Sequence, residues 1–287
     1  MNMKKRIVLC ADDYGQAPAI SRGIVNLMKY GRLSATSCMV TTDHWLEQAN
    51  LLIPLKLLSI GLHFNLTHGK AISTAFINEY GENFSTLSSL LGRALSRRLK
   101  KDVIAAEFEA QIDRFMEGLG QLPDFVDGHQ HIHQFPVIRD AFIDVYKRRL
   151  ESESVSVRWV NERLRLSDLF KNFKKLIILA SGTTTFKTLL EQNHIPHNET
   201  FAGIYPFGVE SERYREWFIK FLQASEDGTL IMCHPGLASD DPADPIAAAR
   251  FHEYSYLFGN QFMQDCYTHN VTLATVGEFT PEEQGAI

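Results

Sequence analysis

Between Val126 and Pro136 the sequence reads VDGHQHIHQFP, with Asp127, His129, His131 and His133 at alternate positions. Period-two spacing predicts that these groups share one face of a strand. Imidazole nitrogens and carboxylate oxygens gathered on one face are the donors that hold a divalent ion or move protons. The chain has 11 histidines, and three of them fall in this short stretch. Three other segments carry the same residue types. Asp12 and Asp13 follow an apolar run in CADDYG, His63, Asn65 and His68 follow one in GLHFNLTHG, and His234 follows one in LIMCHPG. One carboxylate and two imidazoles on one side of an ion leave positions open for water and substrate. Such an ion lowers the pKa of water and polarises a carbonyl. A second carboxylate can then serve as general base, and a histidine as the acid for a leaving group. Each segment alone has a plainer reading: the Asp12–Asp13 pair as a helix cap, His63 as a satisfied core histidine, and His-Pro-Gly as a turn. Their joint placement at the ends of apolar runs favours a metal site.

Bringing four such ends together requires strands that run the same way. Apolar runs predict strands over Arg6–Ala11, Ala35–Val40, Leu58–Asn65, Phe125–His131, Ser156–Val160, Leu176–Ala180, Gly228–Cys233 and Val271–Val276. A helix is predicted over Ala17–Tyr30, with Pro18 in its first turn and Gly31 as its stop. Another covers Lys101–Leu119, where Ile104, Phe108, Ile112, Phe115 and Leu119 form one stripe and Gly120 closes it. Residues 69–100 are less regular and read as an inserted loop with a short helix near the cleft. Strands alternating with helices imply a parallel α/β architecture, whose ligands bind at the carboxyl ends of the strands. No Pro/Gly/Ser-rich linker interrupts residues 1–287, which predicts one domain.

Composition narrows the partners. The chain is 45% hydrophobic and 22% charged, with a formal net charge of −5. That is an ordinary globular balance, and it argues against a dedicated nucleic-acid binder. No window approaches the length of an apolar membrane span. Cys10, Cys38, Cys233 and Cys266 form no CxxC pair, so reduced thiols and a cytoplasmic setting are expected. The basic start MNMKKR precedes too short an apolar run for a secretory signal. The oligomeric state stays open, a homo-oligomer included.

Taken together, CADDYG, GLHFNLT, DGHQHIH and HPG resemble the four motifs of the YdjC-like carbohydrate deacetylase family, in the same order and at similar spacing. The sequence departs from the family pattern at Cys10, Tyr14 and Gly128, where the family carries Asn, Phe and Ser. The resemblance implies a TIM-barrel-like (β/α) barrel, complete or distorted, with one divalent ion at the strand ends, Mg²⁺ ahead of Zn²⁺. It implies Asp13, His63 and His129 as the metal ligands, with a change of ligand to His131 left open. Asp12 would be the general base and His234 the acid that protonates the departing amine. Arg250 and Glu253, in ARFHEY, match a weaker pattern and would orient groups near the site. His131 and Asn65 are candidate substrate contacts, and aromatic platforms would come from Tyr14, Phe64, Trp159, Tyr205 and Phe207. The implied reaction removes an N-acetyl group from an amino sugar or chitooligosaccharide. Two rivals remain: a metal-dependent phosphoesterase on a similar barrel, and a non-catalytic carbohydrate-binding relative.

Overall fold

The computed structural model describes residues 4–161, 182–208 and 211–279. Its sheet is wholly parallel. The strands are β1 (Lys5–Tyr14), β2 (Ala35–Cys38), β3 (Ser59–Phe64), β4 (Phe125–Gly128), β5 (Ser156–Val157), β6 (Phe201–Ala202), β7 (Thr229–Cys233) and β8 (Val271–Leu273). Their order is β5-β4-β3-β2-β1-β7-β6, with β8 pairing with the first residues of β1. Among the described residues β5 and β6 are the ends of this path. Among the described residues the architecture is a distorted, open form of the expected barrel. Predicted strand Leu176–Ala180 lies outside the described residues.

Alternation along each strand divides the molecule into an inside and an outside. Ile7, Leu9 and Ala11 of β1 pack in the large core beneath the helices, while Val8 and Cys10 join a small inner cluster with Ala35, Phe125 and Leu230. The same parity puts Asp12 inward. It would send Asp13 outward, but β1 carries a bulge there: Ala11 pairs with Thr36 and Tyr14 with Cys38, so two residues oppose one. Asp13 takes a left-handed φ of 67°. A bulge re-aims a side chain, and here it keeps both carboxylates on the inner side.

Helix α1 (Pro18–Lys29) falls within one residue of expectation at each end, and α5 matches Lys101–Leu119, with Gly120 left-handed at its end. Residues 69–100 carry two helices, not one: α3 (Thr74–Tyr80) and α4 (Leu87–Leu95), capped by Ser73 and Thr86. The buried Glu107 of α5 accepts hydrogen bonds from the Ile72 and Ser73 amides and so pins this segment to the body. The remaining helices used below are α6 (Ile138–Arg149), α7 (Thr183–Gln192) and α9 (Ala247–Phe258), the last following the helix over Ser211–Ala224, α8. No helix among the described residues is long and apolar enough to cross a membrane.

Inside the barrel, packing leaves no room for small additions. A Cβ on Gly61 of β3 would stand 2.4 Å from the ring of buried Phe125 on β4. Gly61→Ala is therefore expected to lower stability by about 1–3 kcal/mol, the usual range for overpacking. Denaturant unfolding reads this directly, and an unchanged midpoint would contradict it.

Candidate active site

The inward positions at the carboxyl ends of the strands form one polar layer. Register sets its first contact: His63 of β3 is the direct partner of Asp127 on β4. Asp127 Oδ1 lies 2.6 Å from His63 Nδ1 and accepts from Ser37 Oγ of β2 at 2.5 Å. With Nδ1 committed to that carboxylate, the other nitrogen, Nε2, faces Asp13 Oδ1 at 3.4 Å. His129 Nδ1 reaches the same oxygen at 3.0 Å. Asp13, His63 and His129 each offer one ligand atom, all within 4.8 Å of one another, which makes them a group that could hold a metal ion. The Asp127–His63 contact is the carboxylate–imidazole arrangement that fixes a metal-binding histidine's tautomer and ring plane.

His129 reaches Asp13 by a route the alternation did not foresee. The predicted strand over Phe125–His131 stops at Gly128, and His129–Gln134 form a tight 3₁₀ turn. Gln130 and His131 are both left-handed there, with φ of 55° and 62°. The chain can double back because Gly128 has no Cβ, which would sit 2.6 Å from His133 Nδ1. The three histidines therefore do not share a face. His129 faces Asp13, and His131 lines the cavity beside Phe201. His133 is buried against Phe142 of α6 and Phe186 of α7, where Nε2 bonds the Arg158 carbonyl. Left-handed non-glycine backbone costs energy and concentrates at functional sites.

Asp12 has a different partner. Arg158, just past β5, donates to both its oxygens at 2.7 Å and reaches Asp127 Oδ2 at 2.6 Å. The guanidinium also touches Cys10 Sγ at 3.1 Å. A second potential ligand group, Cys10–Asp12–Asp127, thus encloses a cation the protein already supplies.

Arg250 of α9 takes the other oxygen of Asp13, donating to Oδ2 at 2.8 Å, and also bonds Gln16 and Asp244. Glu253, one turn on, is wholly buried and accepts from the His234 amide and the Tyr205 hydroxyl, both at 2.5 Å. The His234 ring stands edge-on to Phe207, 5.1 Å between centroids.

These charges move the titrations. Burial opposes the charge on Asp13, yet Arg250 and His129 hold its pKa well below the usual carboxylate range. Burial would lower the His63 pKa, but the Asp127 and Asp12 carboxylates outweigh it and raise the value to about 10. Burial, reinforced by Arg158, pushes His131 well below its ordinary value, so it is neutral. Burial lifts Glu253 to about 7 against the pull of its donors.

A cavity of about 600 Å³ opens over this layer. Asp12, Asp13, His63, His129, His131, His234 and Arg250 all line it, with Tyr205, Phe207 and Leu87 of α4 among the other walls. Asn65 and Glu253 do not reach it and lie fully buried beneath. Of the expected aromatic platforms, Tyr205 and Phe207 line the cavity, whereas Tyr14, Phe64 and Trp159 belong to the core.

Residues 6–268 match the model of the YdjC-like protein family. The chain belongs to the YdjC-like family. The chitooligosaccharide deacetylase of Serratia marcescens is 34% identical over 143 residues, 47% of this chain and 53% of that protein. The carbohydrate deacetylase of Halalkalibacterium halodurans is 28% identical over 234 residues, 80% of this chain and 84% of that protein. The chain spans about half the length of the curated relatives it matches above 30% identity. A crystal structure from Enterococcus faecalis V583, described as a cellobiose-phosphate cleavage protein, superposes with a TM-score of 0.73 at 18% identity, covering 96% of this chain and 98% of that one. That likeness is one of fold. In this YdjC-like chain, Arg158 and Ser37 are members of the polar layer that the sequence did not single out, whereas Asp127, singled out with the histidines, is spent on holding His63. Ser156-Val157-Arg158 carried a signal for the first: strand parity puts a lone arginine inward.

Proposed function

We propose that this chain is a metal-dependent carbohydrate N-deacetylase, hydrolysing the N-acetyl group of an amino sugar or chitooligosaccharide. The observation that carries the reading is the Asp13–His63–His129 group on the wall of a cavity that Asp12 and His234 also line. The donor set, one carboxylate oxygen and two imidazole nitrogens, fits a hard or borderline divalent ion such as Mg²⁺ or Zn²⁺. Asp13 Oδ1, His63 Nε2 and His129 Nδ1 would hold it. When bound, the ion supplies a Lewis acid that acidifies water and polarises the acyl carbonyl.

The chain's own groups do the rest. Arg158 donates to both oxygens of Asp12 and fixes the carboxylate in place to take the proton of the attacking water. Arg250 occupies Asp13 Oδ2 and leaves Oδ1 for the ion. His234, whose backbone Glu253 anchors, gives a proton to the amide nitrogen. The C–N bond breaks, a C–O bond to water forms, and acetate and a free amine leave. Phosphoester hydrolysis with two ions finds less support, since Arg158 already fills the second acidic group. The four buried, unbridged cysteines suit a cytoplasmic setting.

The test is acetate release from di-N-acetylchitobiose, abolished by chelator and restored by added divalent ion. Phosphate-ester turnover without acetate release would overturn the reading. Ion binding should also depend on pH. With its pKa near 10, His63 carries a proton on each nitrogen at neutral pH, and the one on Nε2 must leave when the ion binds. Calorimetric titration with Zn²⁺ in two buffers of different ionisation enthalpy is expected to show about one proton released per ion. Affinity should rise about tenfold per unit between pH 6 and 8. A pH-independent affinity would contradict this.

A further inference from the structure

One imidazole on the wall of the cavity has no part in the chemistry above. His68 follows β3 in a turn built by a single buried side chain. Asn65 Oδ1 accepts from the Thr67 and His68 amides at 3.0 Å, and Asn65 Nδ2 donates to the His68 carbonyl at 2.6 Å. Asn65 is itself locked: its amide and carbonyl both bond the Gln111 side chain of α5, and Gln111 bonds Glu107. A turn so fully satisfied fixes where its one cavity-facing ring can point.

That ring is half-buried and lines the cavity. It stands edge-on to His129 with centroids 6.3 Å apart. It lies outside the Asp13–His63–His129 group, so it is not placed as a ligand. His63 and His129 each spend a ring nitrogen on a carboxylate, whereas no described side chain or carbonyl bonds the His68 ring. It also lines a side recess of about 100 Å³ that shares Gln16, Asp244 and Arg250 with the main cavity.

We infer that His68 is a specificity-determining residue whose imidazole hydrogen-bonds a ring hydroxyl of the sugar, next to the N-acetyl group held at Asp13, His63 and His129. The inference rests on the reading of the cavity as an amino-sugar site. A sugar hydroxyl both donates and accepts, as an imidazole does. One hydrogen bond of this kind changes affinity by about 3–10-fold.

The test separates binding from turnover. Chelator-treated full-length protein is titrated with di-N-acetylchitobiose by NMR, as wild type, His68→Ala and His68→Gln. The expected result is a Kd about 3–10-fold higher for His68→Ala and within about twofold of wild type for His68→Gln, which keeps a donor and an acceptor. Zn²⁺ affinity, measured by calorimetry, should be the same in all three. An unchanged Kd in His68→Ala overturns the inference. So does an equal loss in both variants, which marks a purely structural role. A fall in Zn²⁺ affinity makes the residue a ligand and overturns it too. Acetate release by the Zn²⁺-loaded wild type is scored separately and judges the deacetylase reading alone.

Discussion

Asp12→Asn is expected to lower kcat for acetate release by about 10²–10⁴-fold, the usual worth of a positioned general base. An amide keeps nearly the shape of the carboxylate but cannot take a proton from water. The Arg158 guanidinium would still find one oxygen on the new side chain, so the layer should hold its geometry. Because Asp12 is not among the residues whose atoms face Asp13 Oδ1, ion affinity should change little. The measurement is paired: steady-state acetate release for the rate and calorimetry for the ion. A variant that keeps more than a tenth of the wild-type kcat would remove Asp12 from the role of base.

The second large effect concerns stability. Arg158 is wholly buried and is the shared cation of Asp12 and Asp127. Removing one partner of a buried ion pair leaves an uncompensated charge and typically costs about 3–5 kcal/mol. Arg158→Met fills similar volume without the charge, so the loss it reports is electrostatic. We expect an unfolding free energy lower by about that amount at neutral pH. Adding Asp12→Asn should recover part of it, since one of the two stranded carboxylates is then neutral. Denaturant unfolding of the single and double variants checks both statements. A double variant less stable than the single one would contradict the assignment.

Much of this arrangement is legible in the linear chain. Runs such as RIVLCA and LIMC announced buried parallel strands, and the acids and histidines at their ends announced the pole of the barrel where ligands bind. The Asp13–His63–His129 group comes from three segments far apart in sequence, and the motifs were enough to name all three. The shape of the DGHQHIH segment was not legible. Period-two spacing predicts a strand face, but β4 ends where β3 does, and Gly128 lets the chain fold back on His133. Local pattern was overridden by the loss of a pairing partner. Asn65 misled in the opposite way. A polar residue at a strand end resembles a substrate contact, yet its side chain is consumed in building the turn beneath His68. Arg158 was hidden because a single charge in an apolar strand carries no motif, and only its inward parity marks it.

The extra residue in β1 has one more consequence. Asp12 and Asp13 are covalent neighbours, with Cα atoms about 3.8 Å apart across one trans peptide. The proposed proton acceptor and the proposed anchor of the ion are thus spaced by bond lengths, not by the fit of one helix against another. Slow breathing of the surrounding helices can widen the cavity or tilt its walls without stretching that ruler.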